Sequence, residues 1–240
     1  MESRPYLRMC LPVASLSTID SIDYISDMHE HFGCVIIDPD ESKVKVVSRL
    51  CKDLSLKFII DCGTISDVSE VKKFALFDPN YLAINANSKL EFSRDVEDSL
   101  GENTKLMRHI LSIDDDNIET IEYITKHAKK AGTAHYMIDC EFIDKVDFTD
   151  LDEVVCINVK SYRDESMKAN VLRDRGKKFV KSGATLISVD AGFFDLNFKH
   201  KVQSLHEISE AFRGVDEGFM EHLSNAISHK HHQDHHQKQK

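Results

Sequence analysis

Phe58-Ile59-Ile60-Asp61-Cys62 decides the fold: a short β-branched apolar run ends in an acidic residue and gives way to a stretch of helical periodicity. From Thr64 to Phe77, Val68, Val71, Lys72, Ala75 and Leu76 fall three and four positions apart, as one face of a helix requires. The same unit recurs along the chain. Strands are predicted at Leu7–Leu11, Cys34–Asp38, Phe58–Cys62, Tyr81–Ala86, Leu106–Leu111, Ala134–Cys140, Val154–Val159 and Thr185–Asp190. Helices are predicted at Ser17–His31, Asp40–Leu54, Ser66–Phe77, Lys89–Leu100, Asn117–Ala131, Glu165–Ser182 and Lys199–Ala226, the last broken at Gly214. Strands alternating with helices imply a parallel sheet, and this succession predicts an α/β fold, a TIM-like (β/α)8 barrel, with an open doubly wound sheet as its structural rival. In either, chemistry belongs at the C-terminal strand ends.

Residues 1–228 are read as a single barrel domain, a length within the usual range for that fold, and 229–240 as a His-rich disordered tail. The imidazoles of the tail could bind a transition metal, but its mixture of His, Gln and Lys is also that of a solvated terminus. Hydrophobic residues at 41% and few Gly and Pro predict a folded chain with a sizeable core. A net charge of -10, without a basic stripe carrying interleaved aromatics, argues against a nucleic-acid partner. No apolar run approaches the length of a membrane helix and no leader pattern opens the chain, so a soluble, cytoplasmic protein without a membrane partner is expected.

The cysteines, Cys10, Cys34, Cys51, Cys62, Cys140 and Cys156, form no Cys-x-x-Cys pair and no ligand-like spacing; buried free thiols in a reducing compartment are expected. Asp114-Asp115-Asp116 precedes a helix and lacks the alternating ligands of a calcium loop, so it reads as a cap and no metal site is assigned. Gly132 and Gly183 read as helix stops. Asp61, Asn85, Asp139, Asn158 and Asp190 terminate strand runs. Paired carboxylates there suit acid–base work, while each is also explained as a cap or turn residue.

Two stretches carry a family resemblance. The first runs from Gly33 to Asp116 through Gly33-Cys34 with Glu41, Lys57-Phe58-Ile59-Ile60, Ser69-Glu70-Val71-Lys72-Lys73-Phe74-Ala75, Tyr81-Leu82-Ala83-Ile84-Asn85 and Lys105-Leu106-Met107-Arg108-His109. The second runs from Val155 to His222 around Asn158-Val159-Lys160-Ser161, Gly183 and Val189-Asp190-Ala191-Gly192-Phe193. In order and spacing these blocks resemble the barrel domain of the ornithine decarboxylase family, pyridoxal-phosphate enzymes of the alanine racemase barrel type. The resemblance implies that barrel without the family's C-terminal β-domain.

It also places family-equivalent cofactor positions at Cys10, His109, Asn158 and Gly192. Cys10 stands where the family has its imine-forming lysine, and without that amine no internal Schiff base forms, so no cofactor is expected. Asn158 replaces a ring-stacking histidine, Gly192 is what remains of a phosphate loop, and His109 or Arg108 could meet an anion. No catalytic residue is assigned. The run His135–Asp139 reads as an insertion supplying the eighth strand, or as the wall of a new pocket.

The function this implies is that of a catalytically degenerate ornithine-decarboxylase-like protein with a regulatory or binding role in polyamine metabolism. Its partner would be a polyamine-pathway regulatory protein, docking near Ser66–Glu91, or a decarboxylase homologue. The alternatives are a barrel enzyme with altered chemistry on a small phosphorylated or amino substrate, and a residual pyridoxal-phosphate decarboxylase.

Overall fold

Strand and helix alternate as the periodicity requires. A computed structural model describes residues 8–126, 135–146, 155–159 and 184–189. The strands are β1 (Arg8–Pro12), β2 (Cys34–Ile37), β3 (Lys57–Asp61), β4 (Tyr81–Asn85), β5 (Lys105–Ile110), β6 (His135–Asp139), β7 (Val155–Val159) and β8 (Leu186–Val189). The helices are α1 (Thr18–Met28), α2 (Glu41–Asp53), α3 (Val68–Ala75), α4 (Leu90–Asp98) and α5 (Ile118–Lys126), with 3-10 turns at His29–His31 and Cys140–Lys145. Every strand pairs in parallel with the next, and β8 pairs back onto β1 in the register Arg8↔Leu186, Cys10↔Ser188, which closes the barrel and removes the open-sheet rival.

Side-chain alternation along the strands divides the core in two. One set, Cys10, Cys34, Ile36, Ile59, Ala83, Met107, Met137 and Cys156, fills the barrel interior. The intervening residues, among them Leu11, Val35, Ile60, Leu82 and Ile138, pack outward against Ile25, Val44, Val47, Val71, Val96 and Ile121 of the helices. The interior is thus a packed floor of side chains.

Local chemistry sets the helix starts. Ser17 accepts from the Asp20 N–H at 3.1 Å, Asp40 from Lys43 at 3.2 Å and Asp67 from Ser69 at 2.9 Å, each satisfying an orphan donor of a first turn. Ahead of α5, Asp114 Oδ1 accepts from the N–H groups of Asp116 and Asn117, both at 3.0 Å, while Asn117 Oδ1 accepts from Asp114 N at 2.8 Å; the acidic run is a cap.

Observed strands lie within about a residue of their expected bounds, as assignments of ends usually do. The first four helices start and stop a little inside theirs, α1 giving way to a 3-10 turn, and α5 starts at Ile118, its expected end at Ala131 lying outside the described residues. His135–Asp139 is the sixth strand in chain order, set between β5 and β7; the eighth is Leu186–Val189, so no insertion is needed to complete the barrel. The helices expected at 165–182 and 199–226, the stops at Gly132 and Gly183, Lys160, Asp190, Gly192 and the tail at 229–240 lie outside the described residues. No helix among the described residues is long and apolar enough to cross a membrane.

Candidate active site at the C-terminal mouth of the barrel

One step above the apolar floor, the same inward register carries polar groups. Alternation from Ile59 brings Asp61 inward on β3, from Ala83 Asn85 on β4, from Met107 His109 on β5 and from Met137 Asp139 on β6. Asn85 pairs with His109, and Asp139 pairs with Asn158. Asn85 accepts from the N–H of Asn87 at 2.9 Å and serves its own turn.

The other three meet. His109 Nδ1 lies 3.1 Å from Oδ1 and 2.9 Å from Oδ2 of Asp61, and its Nε2 points at Oδ1 of Asp139, 3.9 Å away. His109 and Asp139 are buried, with side chains 7% and 4% exposed, whereas Asp61 is 22% exposed and forms the outer edge of the cluster. Nε2 is enclosed and makes no hydrogen bond. Gly63 completes the arrangement: its N–H donates to Asp61 Oδ1 at 3.0 Å. A Cβ at Gly63 would stand 3.1 Å from Asp61 Oδ1 and 3.2 Å from His109 Nδ1, tighter than ordinary contacts, so a side chain here would press on the pair.

Burial on its own pushes the imidazole toward the neutral form. The charges of Asp61 and Asp139, with the hydrogen bond that Asp61 accepts, outweigh it and raise the His109 pKa from 6.5 to about 9. At neutral pH the mouth therefore holds an imidazolium between two carboxylates. Both ring protons are directed at anions of the protein itself, which displaces the expectation that His109 meets a bound anion. Arg108 takes the opposite face of β5, buried, with Nη1 donating to the Ala86 carbonyl at 3.3 Å, so it too leaves the mouth.

A second buried charge sits at the ends of β1 and β2. Lys43 of α2 is inside the protein, and its Nζ donates to Val13 O at 3.0 Å and to Asp38 at 3.0 and 3.2 Å. Three acceptors match the three ammonium protons, which makes Lys43 a tie between α2 and the end of β1. Neither it nor Gly63 was singled out by sequence reasoning. An apolar face at Val44 and Val47 that carries one lysine beside it was the available signal.

Cys10, the position of the family lysine, lies in the barrel floor. Its thiol is fully buried against those of Cys156 and Cys34, whose hydrogen bonds, with desolvation, push its pKa well up. It is an inert neutral thiol. Among the described residues no disulfide joins the cysteines; five of them are buried and Cys140 is half-buried. For Asn158 only the backbone is described, and Gly192 lies outside the described residues.

No protein-family model matches the sequence, and no curated protein matches it. Solved structures do match. 3-hexulose-6-phosphate synthase from Salmonella typhimurium superposes with a TM-score of 0.63 at 7% identity, over 87% of this chain and 100% of that one. KGPDC from Streptococcus mutans gives 0.61 at 10% identity, over 88% and 99%. Orotidine 5'-phosphate decarboxylase from Pyrococcus horikoshii OT3 gives 0.62 at 14% identity, over 86% and 100%. At such identities the likeness is one of fold. It nonetheless corrects the family read from the sequence: the barrel aligns along its length with these enzymes, which are not of the ornithine decarboxylase type. The degenerate-decarboxylase function in polyamine metabolism falls with that family, and the regulatory partner inferred through it loses its ground.

Proposed function

We propose that this chain is an enzyme that makes or breaks a bond next to a carbonyl in a small phosphorylated sugar, with Asp61 as the carboxylate that meets the substrate. The observation that carries the reading is the Asp61–His109–Asp139 cluster. It gathers three titratable side chains from three strands at the end of the barrel where reacting groups belong, and only Asp61 is open to the mouth. Breaking a carbon–carbon or carbon–hydrogen bond beside a carbonyl leaves negative charge on the carbonyl oxygen and a proton to be moved. A carboxylate held next to a fixed cation can take that proton without drifting from the reacting carbon.

The neighbours support the substrate class. A hexulose phosphate stands in the name of one, a nucleotide phosphate in the name of another, and KGPDC is seen in complex with D-R5P. None of these steps asks for a pyridoxal imine, in keeping with Cys10 in place of a first-strand lysine. Mostly buried cysteines without a disulfide among the described residues suit a reducing compartment, which supports a cytoplasmic protein.

The test is solvent exchange. The full chain is incubated in D2O with a panel of pentulose and hexulose phosphates, and the C–H signals beside the carbonyl are followed by proton NMR. Deuterium entering one substrate at that carbon, and not in Asp61→Asn, is the expected result. Absence of exchange, cleavage or condensation across the whole panel overturns the reading.

A further inference from the structure

A histidine between two carboxylates invites assignment as the general base, but the surroundings of the ring do not allow it. A base needs a free lone pair within reach of the substrate. Nδ1 of His109 is already engaged with Asp61, and Nε2 is enclosed behind the ring, facing Asp139. We infer that His109 is a positioning residue and not the proton acceptor, and that Gly63, by lacking a Cβ, lets its imidazole and the Asp61 carboxylate close to hydrogen-bond distance.

The geometry assigns a purpose to each contact. Asp61 receives two donors from the protein, the Gly63 N–H on Oδ1 and the ring of His109 across both oxygens. Held from two sides, the carboxylate is restrained, and at 22% exposure it is the member of the cluster that solvent reaches most. Asp139 stands behind the ring and keeps it charged. Among the described residues, Asp61 on β3 and Asp139 on β6 are the charged groups acting on the ring, while Asn85 on β4 stands beside it in register.

Gly63 is the part specific to this chain's turn. An alanine methyl would sit tighter against Asp61 and His109 than ordinary contacts allow, so the pair has to open by a few tenths of an ångström. At an effective dielectric of about 20, a retreat of about 0.4 Å lowers the midpoint of the ring's titration by about half a pH unit.

The kinetic arm of the test rests on the function proposed above, and the spectroscopic arm does not. Nitrogen NMR of the full chain labelled at histidine, with the His109 resonances assigned by their loss in His109→Asn, should show both ring nitrogens protonated at pH 8. Gly63→Ala should move the midpoint down by about half a pH unit. A His109 ring that is neutral at pH 8 and titrates near 6.5 overturns the inference, and an unmoved midpoint in a folded Gly63→Ala overturns the part played by Gly63. If Gly63→Ala does not fold, the wild-type titration and His109→Asn still decide. His109→Asn keeps an N–H donor toward Asp61, so a positioning role predicts exchange within about tenfold of wild type and loss of the alkaline limb of the pH profile; Asp61→Asn loses about 100-fold or more. Equal inactivity of the two variants overturns the assignment. The proposed function fails separately, on a panel without turnover.

Discussion

Raising the pH above neutrality should destabilise this protein, and the amount can be worked from one side chain. His109 goes from 6.5 in the unfolded chain to about 9 in the fold. Below pH 6.5 both states carry the proton and the ion pairs with Asp61 and Asp139 contribute in full. Between 6.5 and about 9 the folded ring keeps a proton that the unfolded ring has lost, so stability falls as the pH rises; above about 9 the contribution is gone. The full excursion corresponds to about 3 kcal/mol, of which about 2 kcal/mol should be lost between pH 6.5 and 8.5. For a chain of this size 3 kcal/mol corresponds to a fall in Tm of roughly 6–12 °C. Urea unfolding at half-unit steps from pH 6 to 8.5 is the measurement, run in parallel on His109→Asn. Buried thiols such as Cys51, held up to about 12 by desolvation, add a loss of the same sign that begins nearer pH 9, so the difference between the two proteins is the quantity that reports His109. Wild type and variant with parallel curves would refute the imidazolium and everything built on its charge.

Three further outcomes are expected. Lys43→Met removes the tie between α2 and the end of β1 and leaves Asp38 and the Val13 carbonyl without their donor; because Asp38 is partly open to water, the cost should be about 2 kcal/mol, read from denaturant midpoints. Tyr136→Phe deletes the buried hydroxyl that donates to the Ile124 carbonyl at 2.6 Å, the bond between β6 and α5, and should cost about 1–2 kcal/mol with amide exchange accelerating in α5 first. His135, whose pKa burial and the nearby Lys105 lower to about 4, contributes stability that is present above pH 6.5 and lost as the pH falls toward 4; His135→Gln should flatten that acid limb of the wild-type curve.

The barrel was legible because its signal is local. Three or four consecutive residues such as Cys34-Val35-Ile36-Ile37 or Leu82-Ala83-Ile84, buried on both faces, have to be apolar throughout, and that demand survives any change of function. The same fact explains the mistaken family. The blocks that matched the ornithine decarboxylase barrel are strand runs at the spacing a (β/α) unit imposes, so they recur wherever eight such units close a ring. The residues that would have told one barrel family from another, a lysine at Cys10 or a histidine at Asn158, were already absent.

The site was half legible. Asp61 and Asp139 were marked by their place at strand ends, but a cap or turn explained each of them as well. What separates the site from the caps is a partner 48 residues away, and no spacing along the chain records it. Parity was the unused signal: once Met107 is taken as inward, His109 must share its face, and Asp61 shares that of Ile59.

That parity also limits where chemistry can happen. The inward positions run from buried apolar side chains such as Met107, Met137 and Ile59 directly to His109, Asp139 and Asp61 one alternation higher. An imidazolium placed on an apolar floor cannot be solvated from below, so its charge must be met by protein carboxylates, and the deeper of the two, Asp139, has no other access to water. Asp61 alone is shared between that charge and the solvent. A substrate entering the mouth therefore exchanges water for its own polar groups at one carboxylate, while the two groups behind it stay fixed. The division into one reacting group and two fixed ones follows from the depth of each residue in the barrel and would persist for any ligand that enters from this end.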